Sequence, residues 1–134
     1  MFDILDMGAS GLEAQRARLD VIAENITNAM TIYNAQGQNV PYRRKFAVFA
    51  PGRKDDPSQP GVHLVSIDQD MAPFPKKYDP GAKGADKDGY IRLSNVDSTV
   101  EYVNALEASR AYEANVTLME TSKAMINSDF RILA

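Results

Sequence analysis

Apolar positions recur every seven residues near both ends of the chain. In residues 3 to about 29 they are Leu5, Leu12, Leu19 and Ile26, with Ala9, Ile22 and Ala23 filling the intervening turns. Glu13, Arg16, Arg18, Asp20 and Glu24 fall mostly on other faces. Seven residues make two helical turns, so the spacing predicts an amphipathic helix with a coiled-coil-like stripe. Gly8 and Gly11 each weaken its first turns by about 1 kcal/mol relative to alanine. Ser10 to Glu13 has the spacing of a capping box, which puts the start of the stable helix at Ser10. Asn28, a residue that tolerates the left-handed conformation, is the expected end. At the other terminus apolar pairs recur at Ala111/Tyr112, Leu118/Met119, Met125/Ile126 and Ile132/Leu133, again seven apart. Ser94 or Asn95 is the expected cap, and no Gly or Pro interrupts the segment through Ala134. A helix from Val96 to Leu133 would be roughly 55 Å long. Its apolar face needs cover, from the first helix or from other chains.

All seven prolines lie between Pro41 and Pro80, and six of the eight glycines between Gly37 and Gly89. Proline removes a helical donor and clashes with the preceding turn. The middle is therefore expected to be β or irregular, with strands at Tyr42–Phe49, Val62–Ile67 and Tyr90–Leu93. The connection Asp68–Gly89 is long enough to read as a contact loop. The predicted fold is mainly α with a β-rich insertion. The terminal helices (1–30 and 95–134) pair as a coiled coil, and a small irregular β lobe (31–94) sits between them.

Composition narrows the chemistry. The chain has 134 residues, 44% hydrophobic and 25% charged, with net charge −3. That balance argues against a general nucleic-acid binder, which needs surplus Lys and Arg. No apolar run approaches the roughly 20 residues of a membrane span. The acidic start, Met1 to Asp6, lacks a basic n-region and a long apolar core, so no secretory signal peptide is expected. With no cysteine and one histidine, His63, thiolate and multi-imidazole metal sites are excluded. Ser66 and Asp68 lie near His63, but no Gly-x-Ser-x-Gly turn accompanies them. Asp86-Lys-Asp88-Gly89 starts like a calcium loop and then stops. Gly81 to Gly84 lacks the ending of a phosphate loop. No catalytic, cofactor or metal site is expected. The one basic cluster, Arg43-Arg44-Lys45 with Arg53 and Lys54, reads as a contact for an acidic patch on a partner. The seven-residue seams are the strongest signal, and they point to assembly.

The residues from Ala9 through Leu12, Arg18 and Asn25 to Asn28 resemble the N-terminal signature of the axial proteins of the bacterial flagellum. Thr27 stands where that signature often has alanine. Pro41 to Lys45, Asp79-Pro-Gly81, Gly89-Tyr90, Ser94 to Asp97 and Ala108 to Asn115 resemble a short member of the proximal rod. The resemblance spans nearly the whole chain. It implies a non-enzymatic subunit that polymerises helically through its terminal helices, transmits torque and encloses the export channel. It implies export through the flagellar type III apparatus without a cleaved signal peptide, into the rod where it crosses the periplasm. Implied partners are copies of itself, other proximal and distal rod proteins, and the export-gate adaptor at the rod base.

On this reading the assembly seam comprises Leu5, Leu12, Leu19, Ile22, Ile26, Ala111, Tyr112, Leu118, Met119, Met125 and Ile126. Within it, Leu12, Leu19, Ile22 and Ile26 are expected to pack on Leu118, Met119, Met125 and Ile126. Arg43, Arg44 and Lys45 are expected at contacts between subunits. The alternatives are another short proximal rod protein, a homo-oligomeric coiled-coil adaptor, and a small hydrolase built on His63.

Overall fold

The computed structural model describes residues 2–134. Two long helices lie antiparallel: α1, Phe2–Thr27, and α2, Ser98–Leu133. Between them come β1 (Lys45–Pro51), β2 (Val62–Gln69), β3 (Lys76–Tyr78) and β4 (Tyr90–Arg92). They make two separate antiparallel hairpins, β1–β2 and β3–β4. The expected architecture holds: terminal helices packed together, with small sheets between.

Boundaries differ for local reasons. Helix α1 runs without a break through Gly8 and Gly11. Both glycines are used for close approach. A Cβ on Gly8 would lie 2.6 Å from Met119 Cγ, and one on Gly11 would lie 2.9 Å from Asn115 Nδ2. Ser10 is not a cap; its hydroxyl donates to Met7 O and accepts from Val62 N. Asn28 follows the helix without turning left-handed, since no non-glycine residue among those described has positive φ. Its side-chain amide donates to Glu24 O instead. Asp97, rather than Ser94 or Asn95, caps α2, accepting from Thr99 N and Val100 N. Ser94 and Asn95 turn inward to other partners. The predicted loop Asp68–Gly89 contains β3, whose Tyr78 meets Tyr90 edge-on at 5.3 Å.

Helix α1 serves three directions. Gly8, Gly11 and Asn25 face α2. Asp6, Ser10 and Glu24 bond to the β1–β2 hairpin, which lies along the helix. Leu5, Leu12, Leu19 and Ile26 form a third line, each half-buried. The buried apolar set among the described residues is small: Ala14, Val21, Ile22, Ile91 and Ala108. The accessible surface is 9256 Å², against about 7,000 Å² for a compact monomer of this mass.

Candidate functional site

The antiparallel register follows from the cross-helix neighbours Gly8/Met119, Gly11/Asn115, Arg18/Glu107 and Asn25/Glu101. It corrects one expectation. Ile22 and Ile26 lie beside the first turns of α2, while Met125 and Ile126 lie beside the start of α1. An antiparallel pair cannot bring those two sets together. Small and polar residues line the α2 face toward α1, namely Glu101, Ala108 and Asn115. The heptad line Ala111, Leu118, Met125, Ile132 turns to one side of that face. Its exposure rises along the helix, from half-buried Ala111 through 51% at Leu118 and 64% at Met125 to 79% at Ile132. Tyr112 is also exposed, whereas Met119 and Ile126 are half-buried. From residue 126 on, α2 runs past Phe2, the first α1 residue described, and ends in exposed Phe130, Ile132 and Leu133.

The opposite end of the pair is polar and closed. Asn25 and Glu101 are both 0% exposed. The Asn25 amide donates to Lys45 O at 2.8 Å and to Glu101 Oε2 at 3.3 Å. Its oxygen accepts from Lys45 N at 2.9 Å and from the Tyr42 hydroxyl at 3.0 Å. The side chain thus pairs with the first backbone unit of β1 much as a neighbouring strand would. Arg44 donates through Nε to Glu101 Oε1 and pairs with Asp70 at 3.5 Å. Asn95 accepts from Arg44 N and donates to Asp70 O, and Ser94 donates to Tyr42 O. Burial first, then the Glu24 and Glu101 carboxylates, push the Tyr42 phenol up to about 12.

The basic triplet therefore has partners inside the chain. Arg44 pairs with Glu101 and Asp70, and Lys45 Nζ lies 2.6 Å from Glu24 Oε1. Arg43 donates to Asp70 O and Ala72 O and stacks over Phe74, its guanidinium carbon 4.1 Å from the ring centre. Sequence reading missed the acceptors Asn25 and Glu101. The available signal was a polar residue at a helix-facing position in each seam.

No candidate chemistry comes together. His63 Nδ1 lies 2.8 Å from Gly52 O, a hairpin-closing bond, and neither Ser66 nor Asp68 bonds to it. Asp86 Oδ1 accepts from Asp88 N and Tyr90 N, holding a turn. No group of three or more His, Asp or Glu suited to a metal occurs among the described residues. No helix among them is long and apolar enough to cross a membrane.

Paired terminal helices thus flank a small β insertion, and an apolar line on α2 is left uncovered. Residues 5–31 match the pattern described as flagella basal body rod protein, and residues 87–129 match the C-terminal pattern of flagellar basal body rod FlgEFG proteins. The flagellar basal-body rod protein FlgC of Borreliella burgdorferi is 38% identical, over 99% of this chain and 97% of its own length. FlgC of Yersinia enterocolitica is 40% identical over 94% of this chain and 92% of its own. FlgC of Salmonella typhimurium strain LT2 is 38% identical over the same shares. The chain belongs to the FlgC family of flagellar basal-body rod proteins. It is a structural rod subunit rather than an enzyme.

Proposed function

We propose that the chain is a proximal-rod subunit that polymerises helically through its helical part, residues 1–30 with 95–134. The middle part, 31–94, then sits outside that core. The observation that carries this reading is the heptad line from half-buried Ala111 through exposed Leu118, Met125 and Ile132. A helix with a seven-residue apolar repeat on an uncovered face is built to receive another helix. The half-buried line Leu5, Leu12, Leu19, Ile26 offers a second such surface, and Tyr112, Met119 and Ile126 border the two, while Ile22 of the predicted seam is buried inside the chain. The surplus surface supports the same reading, because a chain meant to remain a monomer would bury more of it.

In this role the subunit transmits torque and helps enclose the channel through which later subunits pass. Its neighbours are copies of itself, other proximal and distal rod proteins and the adaptor at the rod base. It reaches the rod, where this crosses the periplasm, through the flagellar type III export apparatus. Arg43, Arg44 and Lys45 act in it mainly by holding the lobe, and only their exposed edges remain for a neighbour.

The test is Leu118→Asp combined with Met125→Asp. Both side chains are exposed in the free chain, so helix content by circular dichroism should stay unchanged. Export should continue, incorporation into rods should fail, and cells should lose swimming. Normal swimming would sink the reading.

A further inference from the structure

A repeat of seven in both helices makes their pairing nearly degenerate. Sliding α2 by seven residues puts Ser122 at Gly11 in place of Asn115, and Ile126 at Gly8 in place of Met119. A small polar residue remains against one glycine and a flexible apolar one against the other. Arg18 loses only an exposed pair with Glu107. Arg53, which pairs with Asp6 at 3.0 Å, finds Glu13 one heptad further on. The slide also separates Val62 N from Ser10 and Lys45 from Glu24 at the hairpin, but within the helix seam one place discriminates. After the slide Asn25 faces Ala108, and its bond to Glu101 is gone. Glu101 and Arg44 would travel with the start of α2, because Ser94 and Asn95 tie that start to Tyr42 and Arg44.

We propose that Asn25, Arg44 and Glu101 are a register key, fixing which heptad of α2 lies against which heptad of α1. Asn25 is the central piece, since its side chain bonds at once to Lys45 backbone, Tyr42 and Glu101. Buried polar residues in helix seams select one register at some expense of stability. A slip of one heptad would move the apolar end of α2 by about 10 Å along the axis. The consequence for assembly rests on the rod-subunit reading above, while the register itself is a property of the single chain.

The chain has no cysteine, so two can be introduced cleanly. Asp20→Cys and Ala124→Cys, both at exposed positions, carry nitroxide labels. Pulsed electron resonance then reads the distance between them in the full chain, free and in rods diluted with unlabelled subunits. The otherwise native chain should give one distance. Asn25→Leu/Arg44→Met/Glu101→Leu should keep its helix content and show a second, shorter distance displaced by about 10 Å. Asn25→Leu alone should show the same second distance in smaller proportion, and it decides the matter if the triple variant does not fold. A single unshifted distance in the folded variants would overturn the register key. Swimming and rod incorporation, scored separately, report on the rod-subunit reading.

Discussion

The two ends of the helix pair are built on opposite principles. At the Asn25–Glu101 end, two side chains without exposed surface exchange hydrogen bonds with Tyr42, Arg44 and Lys45. Every polar atom of Asn25 is used. At the far end, Gly8 and Gly11 let the helices approach closely, and exposed ties such as Arg53–Asp6 hold the hairpin tip. There α2 carries Met125, Phe130, Ile132 and Leu133 into solvent. One end is completed by the chain itself, and the other leaves its apolar residues uncovered. On the proposed reading a neighbouring subunit covers them, so stability and assembly should be separable, each with its own residues.

The largest expected effect is at the closed end. Glu101→Ala leaves Arg44 facing Asp70 alone and Asn25 short of a partner. Leaving a buried hydrogen-bonding group short of its partner costs about 1–3 kcal/mol. Urea unfolding should show a loss of that size. Leu133→Asp, at a residue 84% exposed, should leave the urea midpoint unchanged within error while impairing incorporation into rods. Equal losses of stability in the two variants would break the contrast between the ends.

Some of this was legible in the sequence and some was not, for reasons residues such as Asn25 make plain. The helices declared themselves because period, proline placement and length all agreed. Strand positions were close, although Tyr42 and Arg44 precede β1 rather than belong to it: Tyr42 N donates to Thr31 O, Tyr42 O accepts from Ser94, and Arg44 N donates to Asn95. β3 was missed because Lys76–Tyr78 is exposed throughout and carries two lysines, whereas the equally short β4 centres on buried Ile91. The seam was read as apolar because Leu118 and Met125 obey the heptad. The direct α1–α2 contact instead sets Gly8 against Met119 and Gly11 against Asn115 with Ala108 buried nearby, and of these only Met119 carries a strong apolar signal. The basic triplet stood out as a charge cluster, but its acceptor lies 57 residues from Arg44 in sequence, and no local pattern links the two.

A smaller effect tests how the closed end begins. Asp97 caps α2 through Thr99 N at 3.0 Å and Val100 N at 3.4 Å. Asp97→Ala should cost about 1 kcal/mol, the usual loss for an N-cap. Arg53→Ala, which removes a tie exposed on both sides, should cost between about 0 and 1 kcal/mol. Chemical denaturation of the two variants side by side ranks the ends directly. A larger loss for Arg53→Ala would mean that the hairpin tip, and not the polar end, holds the lobe on the helices.

The finest test uses pH. The Tyr42 phenol is held near 12 against an ordinary 10, chiefly by burial and then by Glu24 and Glu101. In the unfolded chain it loses its proton near 10; in the folded chain it keeps it longer. A raised folded pKa means the stabilising contribution is complete below pH 10 and is lost as the pH rises through about 12. The urea midpoint of the native chain should therefore fall across that window, on top of the background from lysines. Tyr42→Phe cannot ionise there, and Asn25 Oδ1 retains its bond from Lys45 N. Its midpoint should start slightly lower and fall less steeply. Parallel slopes for the two proteins would mean that the Tyr42 hydroxyl is solvated, and that the closed end is wetter than its bonds imply.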